Sequence, residues 1–274
     1  MRKMVLLALS LLFVFAAVFS ANCAAQETIS ITGSTSILPL TQHVAEAYMQ
    51  RHPEVRISVA GRGTCVGIRA IIDGTADIAG VSRRLSKKEL KLCDQRGVQP
   101  VLLLVAQGCV VPVVDPANPV SGLTTAQLKD AYIGKISSWQ ALGGPPKPIT
   151  VLNRDSNSGT FGIFRLLVLN GARVRRDALM LASNGAMDQA VTGTPLARGY
   201  VGLGYLGPQL KTLAVDGVTA SADSVRNGSY PLSRPLYLVT PGQPKGAVKR
   251  FLDFVRGPKG REIAQMEGFV PAAQ

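Results

Sequence analysis

Four short segments hold the side chains of this chain best suited to chemistry: Thr32-Gly33-Ser34-Thr35-Ser36, Gly61-Arg62-Gly63-Thr64, Val81-Ser82-Arg83 and Arg154-Asp155-Ser156-Asn157-Ser158-Gly159-Thr160. The first, second and last each follow a strand-like run and precede a helix-like run. A helix N-terminus presents unpaired backbone N–H groups and a partial positive charge. Ser and Thr add hydroxyl donors there, and Arg adds a charged fork matched to tetrahedral oxyanions. One such segment alone is an ordinary helix cap or strand-to-helix turn. Their recurrence in one chain points to a cradle for a small anion.

Other chemistries find less support. The only histidines, His43 and His52, read as surface helix residues rather than metal ligands. The run from Gly61 to Gly67 lacks the Gly-x4-Gly-Lys-Ser/Thr pattern of a nucleotide-binding loop. A formal net charge of +13 attracts anions of many kinds. Its basic residues are dispersed and aromatics are scarce, which disfavours nucleic acid. Ser158 is not in a Gly-x-Ser-x-Gly elbow, and Cys65 is too close to Arg69 for a cysteine phosphatase loop. A phosphate-ester hydrolase stays as the alternative from another functional class. No metal or organic cofactor is expected.

The elements that must position these segments follow from periodicity. Residues 28–32 alternate as a strand, and Leu40, Val44, Ala47 and Tyr48 share one face of a helix that ends before Pro53. Val55, Ile57 and Val59 alternate as a second strand; Ile68, Ile71 and Ile72 line a helix stopped by Gly74. Residues 78–81 read as a short buried strand. Ser86 and Glu89 form a capping box, as do Thr124 and Gln127. Residues 101–105 and 109–114 are two apolar, β-branched runs. Residues 150–153 form the strand that delivers Arg154, and Asn184 is read as the cap of a helix reaching Val191. This alternation predicts an α/β fold with a largely parallel sheet.

Asp115-Pro116-Ala117-Asn118-Pro119 and a turn-rich stretch over 207–235 read as linkers. They divide the chain into a first lobe made of 26–112 and 208–274 and a second lobe of 113–207, with a ligand cleft between. Ahead of them, Arg2 and Lys3 precede an apolar run and then small residues, an export signal over 1–25. Lipid attachment at Cys23 is the less favoured reading, because Asn22 precedes it. In an oxidising compartment Cys65, Cys93 and Cys109 allow one disulfide and one free thiol, and the sequence does not choose the pair.

With these motifs in order, the chain resembles the periplasmic phosphate-binding proteins of bacterial ABC importers. The resemblance adds Thr75-Ala76-Asp77-Ile78-Ala79, Asn118-Pro119-Val120 and Tyr230-Pro231-Leu232-Ser233-Arg234-Pro235-Leu236 to the segments above. It implies two α/β lobes, joined by crossover strands, that close on inorganic phosphate. The expected ligands are Thr35, Ser36, Thr64, Ser82 and Arg83 from the first lobe and Arg154, Ser158, Gly159 and Thr160 from the second. The implied partners are phosphate and an inner-membrane ABC permease, with the protein a periplasmic monomer. In one respect the chain departs from the pattern. Many members carry an acidic residue after the serine matching Ser82, where this chain has Arg83. An arginine accepts no hydrogen bond. Arg83 is therefore expected to favour a dianion by charge while weakening the rejection of sulfate, which leaves another tetrahedral oxyanion as the nearest alternative ligand.

Overall fold

The computed structural model of the chain describes residues 26–273. The export signal expected over 1–25, with Cys23, lies outside the described residues. Ile29 and Ile31 turn inward on β1 (Glu27–Gly33), and α1 (Leu38–Arg51) buries Leu40, Val44 and Tyr48 against it. β2 (Val55–Gly61) runs parallel to β1. After α2 (Thr64–Ile72), β3 (Ile78–Val81) pairs parallel with the other side of β1. The Ser86–Glu89 capping box forms as expected and opens α3 (Lys87–Gln95).

β4 (Val101–Val114) is one continuous strand of 14 residues where the sequence shows two apolar runs. Then come β5 (Gly122–Leu123), α4 (Thr125–Tyr132) behind its Thr124–Gln127 box, and β6 (Thr150–Arg154). They are followed by α5 (Gly159–Leu167), β7 (Leu179–Leu181), α6 (Asn184–Thr192) and β8 (Ala197–Gly202). The chain returns through β9 (Lys211–Thr212), β10 (Ala214–Val215), α7 (Ala222–Arg226) and β11 (Ser233–Thr240). It closes with α8 (Gly246–Arg256), α9 (Pro258–Met266) and β12 (Val270–Pro271).

The main sheet runs β2-β1-β3-β11-β4-β8-β6-β7. It is mixed rather than largely parallel. Parallel pairing holds within the βα units of each lobe, β2-β1-β3 on one side and β8-β6-β7 on the other. At the centre, β11 lies antiparallel to both β3 and β4, and β4 lies antiparallel to β8. The reason is connectivity: β4 carries the chain out of the first lobe, and β11, beside it, brings the chain back. Residues 101–109 of β4 pair with β11, and residues 110–114 pair with β8, so a single strand belongs to both lobes.

Each lobe has its own core. Ile29, Ile31, Tyr48, Leu236, Phe251 and Ile263 belong to the first, with Tyr48 edge-on to Phe251. Val113, Tyr132, Trp139, Phe164 and Tyr200 belong to the second. Leu210, Leu213, Val225, Tyr230 and Leu232 also pack in that second core, although 208–232 were expected in the first lobe. β9 draws them there by pairing with the distal end of β4, and Tyr230 Oη fixes the return by donating to the Val110 carbonyl at 3.1 Å. The expected disulfide does not form: Cys65, Cys93 and Cys109 are free thiols. Cys93 and Cys109 are buried in different clusters, and burial pushes the Cys109 thiol up to about 12.

Candidate functional site

Four chain reversals meet where the C-terminal ends of β1, β2, β3 and β6 face one another. Glycine makes two of the approaches possible. Gly63, at φ 100°, turns β2 into α2 and lets Thr64 open that helix. Gly159, the first residue of α5, fits so closely that a Cβ there would lie 2.2 Å from Thr64 Oγ1 and 2.4 Å from Ser82 Oγ. The two lobes are therefore in direct contact at the heads of α2 and α5.

The turn after β1 buries Ser34, Thr35 and Ser36. Thr35 Oγ1 accepts from Arg154 Nη2 at 3.3 Å and from Asn184 Nδ2 at 3.0 Å. Both of its lone pairs are then engaged, so its proton is left to donate. Ser36 Oγ accepts from Asn184 Nδ2 at 3.2 Å and from Arg234 Nη2 at 2.9 Å, and it shares a 2.7 Å bond with Thr160 Oγ1 across the lobes. With its lone pairs engaged, Ser36 must give its proton to Thr160, whose own proton is left over. A second trio joins Ser34 Oγ to Ser82 Oγ at 2.9 Å and Ser82 Oγ to Thr64 Oγ1 at 3.2 Å. Whichever way the second bond points, this trio also retains one spare proton. The network fixes these hydroxyls and leaves three of their protons without an acceptor among the described residues.

Arg154 ends β6 and is 1% exposed. Its Nε donates to the Leu181 carbonyl at 3.1 Å and its Nη2 to the Ala182 carbonyl at 2.9 Å, while Nη1 has no partner. Tyr200 holds the strand beneath it, accepting from Arg154 N at 3.3 Å and donating to Asn153 Oδ1 at 2.6 Å. The Tyr200 ring stacks on Phe164 of α5 at 4.2 Å, which couples the Arg154 strand to the Gly159–Thr160 helix. Burial pulls the Arg154 guanidinium down from its ordinary value, and burial and then the Arg154 charge pull Arg234 to about 10. Among the described residues no ion pair engages either guanidinium.

The structure thus brings together Thr35, Ser36, Thr64, Ser82, Arg154, Ser158, Gly159 and Thr160. Ser158 spends its hydroxyl on its own helix, accepting from Phe161 N at 3.2 Å. Arg83 turns elsewhere. Its fork grips Glu89 with two bonds of 2.8 Å, and Nη2 also reaches Cys65 Sγ at 3.2 Å. Glu89 is the residue that closes the α3 capping box, so the carboxylate waiting beside Arg83 claims it. Asp155 is committed to its own loop, accepting from Asn157 N at 2.9 Å. Asp77 orders the loop before β3 by accepting from Ser30 N and Oγ.

Two residues of the cluster were not among the expected ligands. Asn184 is not the cap of α6: Ser183 caps it, accepting from Ala186 N at 2.9 Å, and Asn184 is wholly buried in the site, its Oδ1 accepting from Gly202 N at 3.0 Å. Ser183 and Asn184 are both residue types that cap helices, and a helix needs one cap, so the second of such a pair is free for another role. Arg234 lies in the apolar run of β11, where a charge on the buried face of a strand is itself a mark of function. Among the described residues no group of His, Cys, Asp and Glu is arranged to hold a metal ion.

Known proteins share this architecture. A family model described as a PBP superfamily domain matches residues 20–259. The phosphate-binding protein PstS of Borreliella burgdorferi is 27% identical over 98% of this chain and 99% of its own length. A phosphate ABC transporter substrate-binding protein of Clostridium perfringens, crystallised with bound phosphate, is 31% identical with a TM-score of 0.84, covering 90% of this chain and 100% of that one. An ABC-type phosphate transport receptor from Vibrio cholerae is 30% identical with a TM-score of 0.72, covering 88% of this chain and 99% of its own.

Proposed function

The chain belongs to the PBP superfamily, and from that premise we infer that it captures inorganic phosphate between its lobes and delivers it to an ABC importer in the inner membrane. It works in the periplasm, in keeping with the export signal expected over residues 1–25. The relatives named above are phosphate-binding proteins and phosphate transport receptors of this kind. The single observation that carries the reading is Arg154: a guanidinium 1% exposed, with Nη1 unpartnered and no carboxylate paired to it, surrounded by hydroxyls from both lobes. An unpaired buried charge is costly, and an anion is the partner that relieves the cost.

Capture follows from the division of donors. Thr35, Thr64 and Ser82 come from the first lobe, where Ser36 also holds Thr160 in place; Arg154, Thr160 and the N-terminus of α5 come from the second. Half a set does not offset the dehydration of a dianion, whereas the closed set does. The spare protons of Thr35, Thr160 and the Ser34–Ser82–Thr64 trio supply neutral donors, and α5 adds backbone N–H groups. Ser34 Oγ accepts one bond, from Ser36 N at 3.2 Å, and so keeps a lone pair suited to the proton of monohydrogen phosphate. Closure and release alternate with docking on the permease.

Calorimetric titration with phosphate, arsenate and sulfate at two pH values tests the reading. Phosphate binds and arsenate, which shares its protonation, competes well. A chromogenic phosphate ester is not turned over. Sulfate binding as tight as phosphate, or tighter, overturns the phosphate assignment, and turnover of the ester returns the protein to the hydrolases.

A further inference from the structure

Among the described residues three deeply buried arginines have a guanidinium nitrogen without a partner: Arg154, Arg198 and Arg234. Arg198 is accounted for within the second core. Its Nη2 reaches the Leu128 carbonyl of α4 at 3.4 Å, and its guanidinium lies 4.8 Å from the centroid of the Tyr132 ring. Arg234 has no such account. It is 3% exposed, and both Nε and Nη1 lack partners, while Nη2 donates only to Ser36 Oγ.

Its position is informative. Arg234 stands on β11 opposite Gly108 of β4, at the crossing between lobes, and so belongs to the hinge rather than to either jaw. Gly202, at the end of β8, leaves room for it: a Cβ there would lie 3.2 Å from Arg234 Nη2 and 3.3 Å from Ser36 Oγ. Arg154 comes from the second lobe and reaches Thr35, the neighbour of Ser36, and Asn184 ties those two hydroxyls together. Closing the cleft therefore brings the guanidinium of one lobe toward that of the hinge in a buried site where no described carboxylate is paired with either. Like charges in such surroundings repel far more strongly than in water.

We propose that Arg154 and Arg234 form an electrostatic gate: their repulsion opposes closure of the unliganded cleft, and a dianion held between them neutralises both and permits it. This rests on the phosphate reading and adds to it what decides closure. A ligand must bring two negative charges to satisfy both forks, so phosphate carrying a second proton is a poor trigger. An unliganded receptor that stays open also does not present itself to the permease as loaded.

Small-angle scattering and calorimetry on the full mature chain test the gate with Arg234→Met, Arg154→Met and Arg234→Lys. Ligand-free Arg234→Met should shift toward the compact scattering curve of the phosphate-bound parent, and Arg154→Met should do the same. Arg234→Lys keeps the charge and should stay as open as the ligand-free parent. Phosphate affinity should fall at least about 100-fold in Arg234→Met, in line with truncating one side of a buried charge pair. Removing a buried charge should leave the melting temperature of the ligand-free protein unchanged or raised. If Arg234→Met does not fold, Arg154→Met carries the ligand-free comparison alone. Ligand-free curves of the Met variants that match the ligand-free parent overturn the gate, as does phosphate affinity in Arg234→Met within threefold of the parent. A parent that ignores phosphate sinks the phosphate reading instead, and the ligand-free curves still decide the gate.

Discussion

At the residue scale, Arg154 is the side chain whose role is most sharply exposed to test. It is fixed by two carbonyls and a hydroxyl, and only its Nη1 is left free. Arg154→Ala should cost on the order of 2–5 kcal/mol of phosphate binding, the range for truncating one partner of a buried charge pair. Titration calorimetry measures it, and affinity within about twofold of the parent removes Arg154 from the site. Selectivity is decided at the same scale. With Arg83 held by Glu89 and Asp155 held by its loop, the site is rich in donors and poor in acceptors. Sulfate, which carries no proton at neutral pH, is then penalised only through the acceptor it leaves unpaired. One such mispairing costs about 1–3 kcal/mol, a preference for phosphate of roughly 5- to 150-fold. Competition binding at neutral pH reads this directly, and rejection by several further orders of magnitude would reveal a strong acceptor elsewhere in the site.

At the scale of elements, closure depends on how near α5 can approach α2 and β3. Gly159→Ala places a methyl against Thr64 Oγ1 and Ser82 Oγ at distances no real contact tolerates. The change lies at the lobe junction rather than in either core, so phosphate affinity should fall at least about tenfold while the ligand-free melting temperature stays within about 2 °C. Unchanged affinity would mean that the two helix heads never meet. A second element-scale contact is Arg83–Glu89, which ties the end of β3 to the first turn of α3. Burial alone would raise the Glu89 carboxyl, but hydrogen bonds from Arg83 and Ser86 outweigh it and hold the group below its ordinary value. A carboxylate depressed on folding contributes stability that is complete above its unfolded pKa and is lost as pH falls through the folded one. Glu89→Gln should therefore flatten the loss of melting temperature on acidification below about pH 4.5. Parallel curves for parent and variant would show that the pair adds nothing measurable.

At the scale of the whole molecule, β4 and β11 carry both crossings between lobes, and Tyr230 anchors the return to Val110. Rotation about this paired crossing is the motion expected to open the cleft. Phosphate should lower the radius of gyration of the parent in solution. Superimposable scattering curves, with binding confirmed separately, would argue for a receptor closed in advance of its ligand. The same geometry makes affinity pH-dependent. Two guanidiniums with no paired carboxylate favour the dianion, so phosphate should bind more weakly as acidification adds its second proton. Affinity that holds constant across that titration would contradict a dianion-selective site.

The βα succession and the local anchors of the cradle were legible from sequence alone. The capping boxes at Ser86–Glu89 and Thr124–Gln127 and the strand that delivers Arg154 rest on bonds spanning three residues or on simple alternation, so the residue types declare them. Tertiary structure decided which charges reach the hydroxyl cluster. Arg83, next to Ser82 in the chain, is drawn off by Glu89, whereas Arg234 reaches Ser36 across 198 positions of sequence. Asn184 likewise gives up the cap to Ser183 because the cleft needs an amide that bonds Thr35, Ser36 and Gly202 together. The mixed sheet is of the same kind: two apolar runs become one β4 only because β11 returns beside the first and β8 packs beside the second. Contacts of that separation depend on how whole elements pack, and no local pattern of residues records them.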